Sequence, residues 1–205
     1  DGKYRNWAIC AAFGDNIEKT ALALAATMNL SESEIQALKE IGELLNYNGY
    51  GAQVQDLYFP PDYLYRVVTD YLDPFEFHAT SQIMKTLRRG FESDMELALS
   101  QPVFASCGKN SVYRFPENTW ARRVSGVFAN LKARENPQSA HAMITENKDG
   151  TFRISVRAPL NDRRDADKLC RSFPTGGGRA AAAGINALPV DLLDSFLKEF
   201  ENVYS

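Results

Sequence analysis

The stretch Gly-Gly-Gly-Arg-Ala-Ala-Ala-Ala-Gly occupies residues 176–184 and is the most specific signal in the sequence. Three consecutive glycines allow positive φ angles and leave no Cβ to keep a ligand from the main chain. The alanines predict a helix directly after the glycines, whose N-terminus would offer free N–H donors to an anion. Arginine adds a permanent charge and a fork of donors. The predicted phosphate-binding residues are therefore Gly176, Gly177, Gly178 and Arg179. The alternative is a turn in which the glycines serve only close packing.

The residues before this stretch predict a β-hairpin. Two β-prone segments, 139–145 and 151–157, flank a polar turn that ends in glycine. In the second segment apolar and polar residues alternate, so Arg153 and Arg157 share one face. Arg157 is predicted to bind phosphate at the strand end, with Arg153 on the same face and His141 on the neighbouring strand. The alternatives are surface arginines and a structural histidine.

The first half of the sequence is mostly helical in its periodicity. The apolar run 7–13 predicts a buried strand, and a helix over 17–28 follows it. Asp15 and Asn16 lie between the two, and either can cap that helix. Ser31 and Glu34 have the spacing of a capping box, which predicts a second helix.

The remaining segments complete the predicted fold. Helices are expected at 60–72, at 74–100 in two pieces around Gly90, at 120–131, at 163–172 and after Pro189, and strands at 102–106 and 111–115. The predicted fold class is α/β, of the α+β kind. A helical N-terminal and connector region precedes a C-terminal domain in which helices flank a mixed β-sheet.

The composition excludes several classes of protein. The 205 residues carry a net charge of −3 and contain no apolar run long enough for a membrane span. Three well-separated cysteines and two histidines argue against a disulfide framework or a His-rich metal site and predict a cytoplasmic location. Residues 109–179 hold fourteen basic and seven acidic side chains between acidic flanks. This asymmetry predicts an anion-binding face or, alternatively, solvated helix charges.

The order of hairpin, helix and glycine stretch resembles the C-terminal associated domain of the DHH phosphoesterase superfamily, which includes RecJ exonucleases, oligoribonucleases and cyclic-dinucleotide phosphodiesterases. Residues 154–157 are similar to the family strand that ends in Ser-x-Arg. Residues 176–178 and 182–184 are similar to its Gly-rich signature. The resemblance implies a connector at 52–101 and a substrate-binding domain at 102–205.

The resemblance also extends weakly to the N-terminal segment. Residues 11–15 look like the tail of the catalytic DHH domain, in which a Gly-Asp pair supplies a metal-binding carboxylate, so residues 1–51 are assigned to that tail and Asp15 is the one candidate metal ligand. Two departures matter. Arg179 stands where the family usually has histidine, and arginine cannot act as an acid or base near neutral pH. The sequence also contains no Asp-His-His, so the manganese-binding residues of the family are missing.

The resemblance implies a substrate-binding portion of a phosphoesterase that acts on nucleotides, oligonucleotides or single-stranded nucleic acid. The chain opens on Asp1 rather than methionine, which predicts a piece of a longer protein. Its own N-terminal catalytic domain would be the partner and would hold a divalent metal, with manganese expected. This chain alone is expected to bind no metal stably and to be inactive. The alternatives are a non-catalytic nucleic-acid-binding module and an interaction domain without a ligand.

Overall fold

A computed structural model describes residues 2–205 and confirms the predicted fold class. The described residues form nine α-helices: α1 (Arg5–Gly14), α2 (Glu18–Ala26), α3 (Glu32–Tyr47), α4 (Pro61–Thr69), α5 (Pro74–Thr80), α6 (Gln82–Leu99), α7 (Thr119–Glu135), α8 (Ala166–Arg171) and α9 (Leu193–Tyr204). The strands are β1 (Val103–Cys107), β2 (Asn110–Phe115), β3 (His141–Glu146), β4 (Phe152–Arg157), β5 (Gly176–Arg179) and β6 (Ala182–Leu188). Short 3-10 helices lie at Gly2–Tyr4, Val54–Asp56 and Val190–Leu192.

The chain divides into two compact units, residues 1–93 and 94–205. The first unit is helical, and the second contains the whole six-stranded sheet. The functional boundaries predicted at residues 51 and 101 stay predictions. No helix among residues 2–205 is both long and apolar enough to cross a membrane.

Helices α1 and α3 of the first unit pack with their main chains almost in contact. A Cβ at Gly42 would lie 2.0 Å from the carbonyl oxygen of Cys10, and one at Gly14 would lie 2.8 Å from the Gly42 carbonyl oxygen. Ile9 and Leu38 are fully buried in this unit. The two glycines therefore allow the close approach of the helices on which the packing of this unit depends.

The start of α3 confirms the predicted capping box. The Ser31 amide donates to Glu34 Oε2 at 2.8 Å, and the Glu34 amide donates to Ser31 Oγ at 3.3 Å. Farther along α3, Glu40 joins this helix to α5 and α6. Its carboxylate is 2.6 Å from His78 Nε2 and accepts a hydrogen bond from Arg88 Nη2 at 3.1 Å. The Arg88 hydrogen bond lowers the pKa of Glu40, despite the partial burial of this carboxyl group.

The strand predicted at residues 7–13 is wrong, because this segment forms α1. Its buried residues include Ile9, Cys10 and Phe13, whose spacing of three and four positions is that of a helix. A short apolar run has no clear period, so it does not distinguish a strand from a buried helix. Asp15 does not cap the next helix either. That helix has Ile17 at its N-cap position, without a side-chain hydrogen bond.

The helical connector breaks at Ser81, before α6, and not around Gly90 as predicted. Ser81 Oγ accepts a hydrogen bond from the Ile83 amide at 3.1 Å and so stabilises the first turn of α6. Gly90 lies inside the helix, where a Cβ would come within 2.4 Å of Tyr58 Cζ. Its role there is to admit an aromatic ring to the helix surface.

The sheet of the second unit has the order β1-β2-β3-β4-β6-β5. The β2–β3 pair is parallel and the other four pairs are antiparallel, so the sheet is mixed as predicted. Helix α7 connects β2 to β3 and packs on one face of the sheet, where Phe128 contacts Tyr113 and Phe115 edge-on. Asp94 begins this unit as a buried carboxylate, and Arg123 of α7 donates to it twice, at 2.6 and 3.0 Å.

The opposite face of the sheet forms the main hydrophobic core with α8 and α9. The residues that the strands contribute include Val112, Ala142, Ile144, Phe152, Ile154, Val156, Ala183 and Ile185, and the helices add Leu169, Cys170, Phe196, Phe200 and Tyr204. In β4 the buried residues alternate with half-buried ones, which confirms the predicted period of two.

The helix predicted to begin in the alanine run is wrong. Residues 180–181 form the turn between β5 and β6, and the following alanines belong to β6. Main-chain hydrogen bonds hold this turn, since the Ala166 amide donates to the Ala180 carbonyl and the Ala158 amide to the Ala181 carbonyl, both at 3.1 Å. Pairing of β6 on both sides outweighs the helical preference of alanine, which is a weak local effect.

We predict that Gly42→Ala will lower the free energy of unfolding by about 1–3 kcal/mol, because the added methyl group overlaps the Cys10 carbonyl and forces α1 and α3 apart. The matched control is Gly126→Ala in α7, where a Cβ meets no atom within 4 Å. That change should stabilise the protein by about 0.5–1 kcal/mol, since alanine favours a helix more than glycine does. Chemical denaturation measures both values, and equal stabilities of the two variants would contradict the prediction.

Candidate phosphate-binding face

Strand register brings the predicted site residues of three strands into one row across the sheet. His141 of β3 pairs with Arg157 of β4, Arg157 pairs with Ala182 of β6, and Ala182 pairs with Arg179 of β5. Directly paired residues project from the same face, so the two arginines stand on one side of the sheet with only a methyl group between them. Two strand spacings separate their Cα atoms by about 10 Å.

The next row on the same face consists of small residues. Ser155 of β4 pairs with Gly184 of β6, and Gly184 pairs with Gly177 of β5. All three are half-buried. This row forms a floor without bulky side chains beside the row of arginines, so an anion can approach the main chain there.

The glycines differ in what the fold requires of them. A Cβ at Gly176 would lie 1.7 Å from the Cys170 carbonyl oxygen, and one at Gly184 would lie 2.6 Å from the Ile154 carbonyl oxygen. Gly178 has φ +140°, and its Cβ would meet Ala183 at 2.5 Å. Close packing therefore explains three glycines of the stretch, as the alternative interpretation proposed.

Gly177 is the exception among these glycines. A Cβ at this position would meet no atom within 4 Å, and its φ angle is not in the left-handed region. The fold therefore accepts a side chain here, yet the sequence has none. An open position on the floor of a basic face is the observation that favours ligand binding over packing.

Arg157 is held in place by the protein. Its Nε donates to Asn130 Oδ1 of α7 at 2.8 Å, and its Nη1 donates to Ser155 Oγ at 2.9 Å. These bonds orient the planar guanidinium group before any ligand arrives. Asn130 and Ser155 therefore belong to the candidate site, although the sequence analysis did not name either as a binding residue. Ser155 alternates with the buried apolar residues of β4, which is a signal that the sequence contains. Nothing in the sequence marks Asn130.

Arg179 and Arg153 differ from Arg157 in their environments. Arg179 is exposed, and within residues 2–205 its side chain makes no hydrogen bond or ion pair. Arg153 is half-buried, and its Nε has no hydrogen-bond partner among the described residues. Arg153 lies beyond a bulge in the β4–β6 pairing, so it stands outside the two rows. The structure thus places Arg157 and Arg179 together and sets Arg153 to the side.

His141 belongs to the row by register but is only 1% exposed. Neither ring nitrogen has a hydrogen-bond partner that meets geometric limits within the described part of the chain. Burial lowers the pKa of His141, and Lys132 of α7 acts in the same direction, while the Asn136 main chain and Glu135 oppose them. A role for this histidine in binding phosphate stays a prediction, because the ring does not reach the surface.

Most of the basic residues before the glycine stretch already have a partner within the protein. Lys168 lies 2.7 Å from Asp165, and Arg164 lies 2.8 Å from Asp162. The Lys168 hydrogen bond lowers the pKa of Asp165. Arg171 donates from Nη2 to the Gly178 carbonyl at 3.3 Å, so it takes up an acceptor of the β5 edge. Pairing within this cluster reduces the positive charge that it contributes to the face.

Asp15, the predicted metal ligand, is exposed beyond the end of α1. Among residues 2–205 no group of three or more His, Cys, Asp or Glu side chains has the arrangement of a metal site. The described residues of this chain therefore do not fit a metal pair around Asp15.

Comparison with solved structures identifies the fold. The pGpG-specific phosphodiesterase PggH from Vibrio cholerae superposes with a TM-score of 0.57 at 13% identity, covering 92% of this chain and 68% of that one. An exonuclease RecJ bound to manganese superposes with a TM-score of 0.56 at 18% identity, covering 98% of this chain and 55% of that one. RecJ from Thermus thermophilus in complex with Mg²⁺ superposes with a TM-score of 0.50 at 16% identity, covering 98% of this chain and 34% of that one.

At these identities the likeness shows the fold alone, and that fold is shared with a RecJ exonuclease, one of the proteins named in the predicted resemblance. The chain spans 68% of the length of the phosphodiesterase and 55% of the manganese-bound RecJ. No family model and no curated protein sequence matches the chain.

We predict that His141 makes the stability of the second unit sensitive to mild acid. Its pKa is lower in the folded chain than in the unfolded chain, where it is about 6.5. Above that pH the ring is neutral in both the folded and the unfolded chain and adds no pH dependence, whereas stability is lost as the pH falls from about 6.5 towards the folded pKa. The free energy of unfolding of the wild type should fall more between pH 7.5 and 5.5 than that of His141→Gln. Parallel pH profiles of the two proteins would refute the prediction.

Proposed function

We propose that this chain is the substrate-binding portion of a DHH-type phosphoesterase. It binds a phosphate group of a nucleotide, an oligonucleotide or a single-stranded nucleic acid on the face formed by β4, β6 and β5. Arg157 and Arg179 supply the charge, and the main chain at Gly177 supplies the floor. The open Gly177 position carries this proposal, because the fold alone does not require glycine there.

The geometry of the two arginines supports the proposal. Two guanidinium groups about 10 Å apart at their Cα atoms, separated by Ala182, can both reach an anion placed between them. Arg157 is oriented by Asn130, whereas Arg179 makes no contact that a ligand would have to break. A phosphate has acceptor oxygens for both side chains.

The metal-dependent step is assigned to residues outside this chain. The RecJ structures hold manganese or magnesium, so we propose a divalent metal, with manganese expected, in the complete enzyme. The chemistry of such a metal pair is activation of a water molecule for attack on phosphorus. The chain described here contributes binding and orientation of the phosphate, which by themselves lower the barrier to reaction.

The proposed partner is a catalytic domain that carries Asp-His-His, a motif this sequence lacks. A cytoplasmic location belongs to the same proposal and is supported by three free, buried cysteines. The competing function is a non-catalytic nucleic-acid-binding module, which would use the basic segment 109–179 as an extended surface. The two functions differ in salt dependence, because an extended footprint releases many counterions and a single-phosphate site releases few.

Arg179→Ala should weaken the binding of a nucleotide or a labelled oligothymidylate about ten- to hundred-fold, the scale of a charge-assisted hydrogen bond. The control is Lys198→Ala, which removes an exposed positive charge from α9 on the opposite side of the sheet. Fluorescence anisotropy against salt concentration measures both affinities. Equal affinities of the two variants would reject the site, and a steep salt slope that neither variant changes would favour the binding module.

Gly177→Val and Gly176→Ala should separate binding from folding. The valine points into open space, so we expect a melting temperature close to that of the wild type but an affinity at least ten-fold weaker, because its side chain occupies the floor. The alanine at Gly176 collides with the Cys170 carbonyl and should lower the stability by about 1–3 kcal/mol. Calorimetry and anisotropy give both quantities. Full affinity of Gly177→Val would show that the glycine floor does not contact the ligand.

A further inference from the structure

One face of α6 carries polar and basic residues only. Positions 82, 85, 86, 89 and 93 follow the helical spacing of three and four residues, so their side chains lie side by side. Together with Tyr58 and Gly90 they line a cavity of about 340 Å³. The full lining consists of Tyr58, Gln82, Lys85, Thr86, Arg89, Gly90 and Ser93. All of these residues belong to the first unit.

The charge of this cavity is opposite to that of its surroundings. Residues 1–93 carry thirteen acidic and eight basic side chains, yet the lining contains two basic residues and no acidic one. Lys85 and Arg89 are exposed, and their side chains make no hydrogen bond or ion pair within the described residues. Their neighbour Arg88 instead donates a hydrogen bond to Glu40. This bond raises the pKa of Arg88, and the charge of Glu92 acts in the same direction. Glu92 lies three positions after Arg89 on this helix but forms no ion pair with it, so the two cations are available to a ligand.

An aromatic wall completes the cavity. The half-buried Tyr58 ring lies against Gly90, where a Cβ would come within 2.4 Å of Cζ. The ring also packs 6.0 Å from the Tyr47 ring, centroid to centroid. Glycine inside a helix costs about 1 kcal/mol relative to alanine. Glycine at position 90 admits the Tyr58 ring to the helix surface, where the ring lines the same cavity as the two cations.

We propose that this cavity is a second phosphate-binding site, separate from the face on the sheet. Lys85 and Arg89 neutralise the anion, the polar groups of Gln82, Thr86 and Ser93 donate to its oxygens, and Tyr58 offers an aromatic surface to an attached base. The cavity volume suits a small ligand or one nucleotide unit of a strand. The proposal rests on residues other than those of the sheet, so it stands or falls independently of the proposed function.

The test compares two double variants by fluorescence anisotropy with a labelled oligothymidylate. Lys85→Gln with Arg89→Gln removes both cations of the cavity, and Lys3→Gln with Lys19→Gln removes two exposed cations elsewhere on the same unit. The cavity variant should bind about ten-fold more weakly. Its salt slope should fall by about 0.7, since the two cations share one phosphate and each phosphate contact on a single strand contributes about 0.7. Equal binding by both variants would overturn the proposal.

A third variant guards against a change in folding. Thr86→Glu removes no cation but places a carboxylate in the cavity, and it should weaken binding at an unchanged melting temperature. Thermal shift with inorganic phosphate then identifies the ligand. If the cavity variants lose the shift, the site holds an isolated phosphate, and if they lose only oligonucleotide affinity, it holds the phosphate of a strand. A loss of affinity in Arg179→Ala with none in any cavity variant would refute this site while leaving the sheet site intact.

Discussion

The antiparallel pairing of β4 with β6 is the constraint on which the candidate face depends. It joins the hairpin of residues 141–157 to the glycine-rich hairpin of residues 176–188, two segments that α8 separates in the sequence. The register pairs Arg157 with Ala182, and this single match decides which residues share a face. A slip of one residue would turn Gly177 and Arg179 towards the opposite face, where α8 and α9 form the core. Burial of Ile154 and Val156 on that core side opposes such a slip.

Different glycines of this chain are required for different physical reasons. Comparing these reasons shows which glycines serve packing and which one is left for ligand binding. Gly42 and Gly176 each lie against a carbonyl oxygen that leaves no room for a methyl group, and Gly90 makes room for Tyr58. Gly178 needs both space and a positive φ angle. These positions would be glycine whether or not the protein bound a ligand. Gly177 has neither requirement, so it alone in the triplet argues for a site.

The sequence predicts this fold well where the residue pattern has a clear period and poorly where it has none. Alternation over β4 predicted which residues are buried, and the capping box of Ser31 predicted the start of α3, because both patterns depend on local geometry. The run 7–13 is apolar at every position and therefore shows no period. The alanine run failed because pairing with two neighbouring strands overrides propensity, and such pairing is a property of the tertiary structure. The hydrogen bond between Arg157 and Asn130 could not be predicted from the sequence for the same reason, because it depends on how α7 packs on the sheet.

The two arginines of the face differ in how firmly the protein holds them, and this difference affects how they can bind an anion. Arg157 is fixed by Asn130, so a ligand that it binds is held in one orientation, whereas Arg179 is exposed and can adjust to that ligand. Both carry a permanent charge, so the positive charge that the two arginines give to this face does not change with pH in the physiological range. Neither can transfer a proton, and the one histidine in the row, His141, is buried and favours its neutral form. A face built in this way is suited to hold an anion rather than to cleave it. Proton transfer during hydrolysis would therefore have to come from groups beyond this face, which is consistent with the division of labour between binding and catalysis that we propose.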